Sequence, residues 1–323
     1  MAHHTLRLRV RRITPEAEGI LSYELVASDG GRLPPFEAGS HLDVHVPGGF
    51  LRQYSLCNDP EDTRHRYVIA VQRDDHGRGG SRAMHELVRE GDVLTTSYPR
   101  CDFPLLYARS YVLVAGGIGI TPLLSMAYVL RRQRVPWHLH YCTRSPERTA
   151  FRSRLVSSFA GRVTFHHDQG DPSQGLDVKA LLATRTGGTR LYCCGPAGLM
   201  RSVREAAILH QWPREKVHFE AFSAEATGAI TDRADTEFQV VVRSTGATFP
   251  VPPGRTVLNV LRANGMRVPS DCEAGSCGTC LTRVLEGEPD HRDSFLPEPQ
   301  RTTCRNMLVC VSRARSRKLV LDL

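Results

Sequence analysis

The segment DCEAGSCGTC carries three cysteines whose spacing suits a shared metal centre. Cys272, Cys277 and Cys280 follow the pattern C-x4-C-x2-C, which is the spacing of plant-type [2Fe-2S] sites. The residues between them are small, so the backbone can wrap closely and aim N–H groups at the sulfurs. Structural zinc sites more often use two short C-x2-C pairs. The pattern therefore favours a [2Fe-2S] cluster, a one-electron carrier, over zinc or unrelated buried thiols.

A fourth thiolate must complete this ligand set, and two cysteines lie downstream. Cys310 lies in the apolar, strand-like segment MLVCVS, which would hold a ligand rigidly. We therefore predict Cys310 as the fourth ligand, with Cys304 as the alternative.

Two glycine-containing turns predict a nucleotide site. The segment GGIGITP, residues 116–122, follows the apolar run YVLVA and opens a helical pattern, and CCGPAGLM repeats the strand-turn-helix order. Glycines let a pyrophosphate approach the backbone, and helix N-termini supply unpaired N–H donors for it. The first turn departs from G-x-G-x-x-G because Pro122 occupies the last glycine position. The expected nucleotide contacts from these turns are Gly116, Gly117, Gly119, Pro122, Cys194, Gly195 and Pro196.

Two positions near these turns bear on which nucleotide binds. Successive strand residues face opposite ways, so Cys194 would lie beside the nicotinamide and Cys193 in the core. Arg144, in YCTRSPER, follows the next strand, where an adenosine ribose would lie. An arginine there could hold a 2′-phosphate, stack on adenine or face water. The choice between NADH and NADPH stays open.

The pattern of the whole chain places these motifs in separate domains. Alternating apolar segments at 5–13, 20–27, 41–46 and 66–72 indicate a β-barrel or sandwich, and strands alternating with helices after residue 107 indicate a parallel sheet. Residues 223–236 are rich in Ala, Thr, Asp and Gly, which is typical of a linker. We predict a β-barrel domain (1–106), a nucleotide-binding α/β domain (107–226), a linker (227–236) and an α+β domain with the cysteines (237–323).

Composition excludes several classes of protein. The 323 residues are 41% hydrophobic and 24% charged, which is typical of a folded protein of two or three domains. No apolar run of about 18 residues could span a bilayer, and MAHHTLRLRV lacks the apolar core of a secretory signal. We therefore expect a cytoplasmic protein with reduced thiols. The net charge of +8 comes without a basic run, so no nucleic-acid partner is expected.

Two further strings could bind a flavin. RQYSLCN contains Arg52, Tyr54 and Ser55, and HGRGGSRAMH contains Arg78 and Ser81 around two glycines. An arginine with Gly-Gly-Ser can form a phosphate nest, while a phenol and a hydroxyl can face a planar ring.

In this order, RxYSL, GRGGS, GGIGITP, CGPxxLM, FEAF and C-x4-C-x2-C…MLVCVSRA resemble the phthalate dioxygenase reductase family, which includes reductases of the vanillate demethylase type. The resemblance covers essentially the whole chain. It implies an antiparallel β-barrel for FMN, a parallel α/β sheet for NAD(P), and a β-grasp ferredoxin domain.

The resemblance also implies residue roles. Flavin would be held by Arg52, Tyr54, Ser55 and Leu56, with the Ser55 hydroxyl near N5. The FMN phosphate would be held by Arg78, Gly79, Gly80 and Ser81. Phe222 in FEAF would cover the isoalloxazine face, and Thr121 and Cys194 would line the nicotinamide pocket. Ser55, Thr121, Cys194 and Phe222 are thus the expected catalytic residues.

The function implied is that of a monomeric reductase component of a Rieske-type oxygenase or demethylase. A hydride carries two electrons and the cluster accepts one, so a flavin between them divides the pair. The order would be NADH, FMN, [2Fe-2S], oxygenase. The alternative is an FAD-containing NAD(P)H reductase serving another monooxygenase or hydroxylase. An iron-sulfur sensor would need no flavin, and a structural zinc protein would need neither.

Overall fold

The computed structural model describes residues 5–62, 65–77, 79–184, 187–222, 236–270, 275, 278–293, 295–296 and 298–323. The chain divides into two compact units, Met1–Phe219 and Glu220–Leu323. The strands in the described residues are β1 (Thr5–Ala17), β2 (Ile20–Ala27), β3 (Ser40–Val46), β4 (Phe50–Ser55), β5 (Tyr67–Gln72), β6 (Val93–Ser97), β7 (Arg100–Cys101), β8 (Ser110–Gly116), β9 (Trp137–Thr143), β10 (Val163–His167), β11 (Thr189–Cys194), β12 (Val217–Glu220), β13 (Phe238–Val242), β14 (Thr248–Val251), β15 (Leu281–Glu286), β16 (Pro289–Asp290), β17 (Asn306–Leu308), β18 (Arg313–Ala314) and β19 (Lys318–Leu321).

The helices connect these strands. The α-helices are α1 (Gly80–Leu87), α2 (Ile120–Gln133), α3 (Arg152–Ser158), α4 (Val178–Ala183), α5 (Ala197–Leu209), α6 (Val257–Ala263) and α7 (Glu298–Arg301). Short 3-10 helices span Pro60–Asp62, Gly117–Gly119, Pro146–Arg148, Pro172–Gln174 and Arg214–Lys216. Among the helices of the described residues, none is long and apolar enough to cross a membrane.

The first sheet of the first unit is antiparallel and closed. Its strand order is β4-β3-β6-β1-β2-β5, with β7 added beside β3. A bridge between Leu56 and Ile69 joins the two outermost strands, and the Cys57 amide donates to the carbonyl of Val68 at 2.9 Å. Because both edges are paired, the sheet forms a barrel, whose interior holds an apolar core that includes Leu25, Leu42 and Ile69.

The second sheet of the first unit has the order β10-β9-β8-β11-β12. β8 pairs in parallel with β9 and with β11, and β9 pairs in parallel with β10. Leu113 and Tyr141 of this sheet share a buried cluster with Leu123 and Leu130 of α2 and Leu155 of α3. These helices cover one face, as expected for right-handed crossovers that run in one direction from β8.

The second unit is a small α+β fold. Its five-stranded sheet has the order β14-β13-β19-β15-β17, and β16 pairs separately with β18. β13 runs parallel to β19 and antiparallel to β14. Val257, Leu258 and Leu261 of α6 are buried in one core with Val240 and Leu319 of the sheet.

The predicted element types agree with the structure, with a few differences. Strand 20–27 and the helical pattern that GGIGITP opens coincide with β2 and α2. β6 and β10 were not predicted, because VLTTS is largely polar and VTFHH carries two histidines. Most of the predicted linker lies outside the described residues, and the three-domain division stays a prediction.

The parallel sheet offers a direct test of core packing. Leu113 in β8 is fully buried, so Leu113→Ala should lower the free energy of unfolding by about 2–5 kcal/mol. The chain's two tryptophans, Trp137 and Trp212, are both buried in this part of the chain, so urea unfolding followed by tryptophan fluorescence reports on it. Leu209→Ala, at an exposed position of α5, should leave the transition within about 0.5 kcal/mol of wild type. Equal losses in both variants would contradict this account.

Candidate functional site

The two glycine turns lie side by side at the carboxyl edge of the parallel sheet. β8 and β11 pair with Ala115 opposite Cys194, so Gly116 and Gly195 follow at neighbouring positions. A Cβ on Gly119 would lie 2.2 Å from the carbonyl oxygen of Cys194, and one on Gly116 would lie 2.6 Å from Cδ of Pro196. Glycine is therefore required sterically where the two turns meet.

Two helices begin at this edge without side-chain caps. α2 has Gly119 as its N-cap residue and α5 has Pro196, and neither residue carries a side chain that can accept a hydrogen bond. The first amides of both helices are thus left to backbone, water or a ligand. An edge with two such N-termini suits a pyrophosphate.

Thr121 and Cys194 lie at this edge and are buried. The Thr121 hydroxyl donates to the carbonyl of Ile118 at 3.0 Å, and Cys194 belongs to the core on the α2 face. Cys193 is also buried but is not part of that core. The two residues alternate along β11 as predicted, but the core that packs against α2 contains Cys194 and not Cys193, which is the reverse of the expected core assignment. Arg144 follows β9 at the same edge and is exposed, with its carbonyl accepting from the Gln169 amide at 2.9 Å.

The two flavin strings of the sequence meet in the structure. Arg52 and Tyr54 share one face of β4, which ends at Ser55. A Cβ on Gly80 would lie 2.5 Å from Nε of Arg52, so the Arg52 side chain crosses the first residue of α1. Gly79, the N-cap of α1, has φ 86°, and Ser81 Oγ accepts from the Asp74 amide at 3.1 Å. Arg78 lies outside the described residues.

The other predicted flavin contacts in the segment RQYSLCN are buried to different extents. Ser55 and Leu56 are buried. The Tyr54 hydroxyl is buried and has no hydrogen-bond partner among the described residues, and burial raises the pKa of Tyr54 to about 12. The hydroxyl is therefore protonated at neutral pH and can donate a hydrogen bond.

The barrel reaches the glycine turn through β5. Oε1 of Gln72, the last residue of β5, lies 3.8 Å from the Cβ position of Gly117, and the Tyr141 hydroxyl donates to the Gly117 carbonyl at 3.0 Å. The first unit thus places the end of a barrel strand against the first glycine turn.

Sequence reasoning missed Phe50. Its ring lies under the Arg52 guanidinium, 5.2 Å from centroid to Cζ, and 3.1 Å from the Cβ position of Gly79. The signal available in sequence was an aromatic residue two positions before the arginine on one strand face.

In the second unit, strand register separates the two candidates for the fourth cysteine. Leu281 of β15 pairs with Leu308 of β17, so Cys280, before β15, and Cys310, after β17, lie at the same end of the pair. Both are buried in one core. Cys304 precedes β17 at the opposite end, where the Val284 amide donates to the Arg305 carbonyl at 2.8 Å. Cys272 and Cys277 lie outside the described residues.

One detail of the cysteine prediction is wrong. Cys310 does not lie in a strand, because β17 ends at Leu308. The amides of Val311 and Ser312 both donate back to the Leu308 carbonyl, at 3.3 and 2.9 Å. An apolar run alone does not reveal this turn, which holds Cys310 by backbone hydrogen bonds instead of a strand ladder.

The described part of the cysteine loop is closely packed. Gly278 has φ 77°, and a Cβ there would lie 2.2 Å from the Phe295 ring. A Cβ on Gly275 would lie 2.6 Å from Val311 and 3.0 Å from Cα of Asp293. Among the described residues, no three His, Cys, Asp or Glu side chains form a metal-binding group; two of the four predicted ligands are not among these residues.

Comparison with known proteins identifies the second unit. Residues 240–315 match the family model for a 2Fe-2S iron-sulfur cluster binding domain. A barrel, a parallel sheet with two glycine turns and a domain of this type together define an iron-sulfur oxidoreductase that takes electrons from a pyridine nucleotide.

Full-length relatives narrow this class. The chain is 47% identical over 321 residues to phthalate dioxygenase reductase of Burkholderia cepacia, covering 98% of this chain and 97% of the relative. It is 48% identical over 309 residues to a vanillate O-demethylase oxidoreductase of a Pseudomonas species, covering 95% and 96%. A solved phthalate dioxygenase reductase, described as a modular structure for electron transfer from pyridine nucleotides to [2Fe-2S], matches with a TM-score of 0.69 and 45% identity, over 99% and 98% of the chains. The chain belongs to the family of phthalate dioxygenase reductase and vanillate O-demethylase reductase.

These findings confirm the predicted family, the multidomain fold class and the oxidoreductase activity, together with the cofactor set of flavin, pyridine nucleotide and [2Fe-2S]. The sensor and zinc-protein alternatives are thereby excluded. The roles of individual residues stay predictions.

The meeting of the two turns predicts a steric effect on nucleotide binding. Gly119→Ala would push its Cβ into the Cys194 carbonyl, and we expect NADH affinity to fall about tenfold or more, or about 1.4 kcal/mol. Gly187→Ala is the matched control, because Gly187 is exposed, has open space around its Cβ and lies before β11 at the other edge. Stopped-flow titration of NADH binding measures both. Unchanged affinity in Gly119→Ala would contradict the assignment of this turn.

Proposed function

We propose that this chain is the NADH-dependent reductase component of a Rieske-type oxygenase or demethylase system, with FMN as its flavin. The observation that carries the proposal is the packing of Arg52 across Gly80, which brings two distant strings together beside the barrel in the unit that also carries the nucleotide turns. The near full-length similarity to reductases of oxygenase and demethylase systems supports the same function.

The residues fit a flavin mononucleotide. An arginine guanidinium, a glycine in the left-handed region and the uncapped N-terminus of α1 lie together, and this combination suits a terminal phosphate. Arg78, Gly79, Gly80 and Ser81 would hold that phosphate. The buried Tyr54 hydroxyl needs a partner that the described residues do not supply, and a polar ring edge beside Ser55 would supply it.

The residues also fit a [2Fe-2S] cluster. Cys280 and Cys310 are two soft donors at one end of β15 and β17, and Cys272 and Cys277 precede Cys280 by eight and three positions in the sequence. We propose these four as the ligands. Gly275 and Gly278 allow the close packing that such a loop needs.

When bound, these groups supply the redox chemistry: the nicotinamide gives two electrons, and the cluster passes them on singly. The residues of this chain bind these groups and orient them. The uncapped amides of α2 and α5 would hold the pyrophosphate, and Thr121 and Cys194 would line the nicotinamide pocket. Ser55 would hold its hydroxyl toward N5 of the flavin. Phe222, which is 45% exposed and follows β12 by two residues, would cover the isoalloxazine face where the nicotinamide must enter.

The proposal includes a monomer in the cytoplasm, with a barrel module (1–106), a nucleotide module (107–226) and a ferredoxin module (237–323). Arg144 would lie beside the adenosine ribose. Reduction of the iron-sulfur centre of a purified Rieske-type oxygenase by the enzyme and NADH tests the partner. The proposed partner would be refuted if the enzyme and NADH reduced no Rieske-type oxygenase but transferred electrons to another monooxygenase. Chromatography of the released flavin tests FMN against FAD.

The fourth ligand is tested by two single substitutions in the full chain. Cys310→Ser should lower bound iron and sulfide to near zero and abolish electron delivery to an oxygenase, because three thiolates do not complete the site. NADH-dependent reduction of ferricyanide should remain, since the flavin part is intact. Cys304→Ser is the matched control and should retain the cluster. Loss of iron only in Cys304→Ser would reverse the assignment.

The Tyr54 hydroxyl is tested by removing a single atom. Tyr54→Phe should raise the dissociation constant for FMN about fivefold to tenfold, because one hydrogen bond contributes about 1 kcal/mol. Tyr107→Phe, at a side chain that is 85% exposed, should not change it. Fluorescence titration of the deflavinated protein with FMN gives both constants, and identical constants for Tyr54→Phe and wild type would place the hydroxyl away from the flavin.

A further inference from the structure

The second unit contains a fully buried carboxylate that the proposed electron path leaves without a role. Asp293 has 0% of its surface exposed. The Ser312 hydroxyl donates to its Oδ1 at 3.1 Å, and the Leu296 amide donates to its Oδ2 at 2.8 Å. Both carboxylate oxygens are thus hydrogen-bonded, as a buried charge requires.

Asp293 is ionised at neutral pH. Burial alone would raise its pKa, but His291, the Leu296 amide, the Arg301 guanidinium and the Ser312 hydroxyl together hold the pKa below its usual range. His291 Nδ1 lies 3.5 Å from Oδ1, and Arg301 Nη2 lies 3.9 Å from Oδ2. Arg301 also donates to the Asp293 and Leu296 carbonyls. Its side chain is partly exposed, so water screens its charge more than that of Asp293.

The position of Asp293 connects the two separate parts of the proposed ligand set. Gly275 lies inside the C-x4-C segment, and its Cβ position is 3.0 Å from the Asp293 Cα. Ser312, which donates to the carboxylate, lies two residues after Cys310. A single buried side chain therefore lies between the cysteine loop and the turn that carries the fourth cysteine.

We propose that Asp293 is a positioning residue that joins these two segments, and that its charge lowers the reduction potential of the cluster. This inference rests on the proposed function, because it requires the cluster at Cys272, Cys277, Cys280 and Cys310. Adding an electron beside a fixed negative charge is unfavourable, and the penalty is larger in a buried site than in water. Cluster potentials respond to local net charge and hydrogen bonds. Asp293 thereby makes the reduced cluster a stronger electron donor.

The test is the isosteric substitution Asp293→Asn in the full-length holoprotein. Its midpoint potential, measured by redox titration followed by electron paramagnetic resonance, should be more positive than that of wild type. Glu286→Gln is the matched control: it removes one negative charge from the same unit at an exposed position paired with Lys318, and its potential should not change.

For a second variant we expect a shift of the midpoint potential in the opposite direction. Arg301→Gln removes the cation that partly compensates Asp293, so its midpoint potential should be more negative than that of wild type. This variant decides the question if Asp293→Asn does not retain iron. Bound iron and sulfide are measured for every variant, so that a change in potential is read only from loaded protein.

Two results would overturn the inference: a wild-type potential in iron-loaded Asp293→Asn, or equal shifts in Asp293→Asn and Glu286→Gln. If Asp293→Asn binds no iron, the inference is overturned by a midpoint potential in Arg301→Gln that is unchanged or more positive than that of wild type. Absence of a cluster from the wild-type protein would instead refute the proposed function. The two failures are therefore distinguishable.

Discussion

The parallel pairing of β8 with β11 is the constraint on which the proposed nucleotide site depends. Parallel strands end at the same edge of a sheet, and the register of Ala115 opposite Cys194 brings the turns at Gly116 and Gly195, which are distant in sequence, into van der Waals contact. That contact leaves no room for a Cβ at Gly119 or Gly116. It also puts the starts of α2 and α5 at one edge of the sheet, and open α/β sheets bind their ligands at this edge.

The barrel depends on a similar meeting of distant segments. Closure through the Leu56 and Ile69 bridge holds β4 beside β5, and α1 follows β5 closely in the chain. Arg52 on β4 therefore crosses the start of α1 at Gly80. The last residue of β5, Gln72, lies against Gly117 of the glycine turn. The same two strands thus position the proposed flavin site and connect it to the nucleotide turn.

In the second unit, the register of an antiparallel strand pair brings two distant segments together, as the register of a parallel pair does in the first unit. Because Leu281 pairs with Leu308, the chain ends of β15 and β17 that carry Cys280 and Cys310 coincide. The buried carboxylate of Asp293 then lies between the glycine of the cysteine loop and the segment after Cys310. Local hydrogen bonds to a charged group can thus fix the turn that carries Cys310, which has no strand ladder of its own.

The sequence by itself determined the cofactor set of flavin, pyridine nucleotide and [2Fe-2S] cluster, and it determined most element types. Spacing and periodicity are local properties, so C-x4-C-x2-C, the strand-glycine-helix turns and the pattern of α2 are legible without a fold. Tertiary structure alone decided that Cys310, and not Cys304, shares an end with Cys280, that Arg52 meets Gly80, that Phe50 lies beneath the arginine and that Asp293 is buried. Each of these depends on strand register or on packing between residues far apart in sequence, and neither is encoded in any single segment.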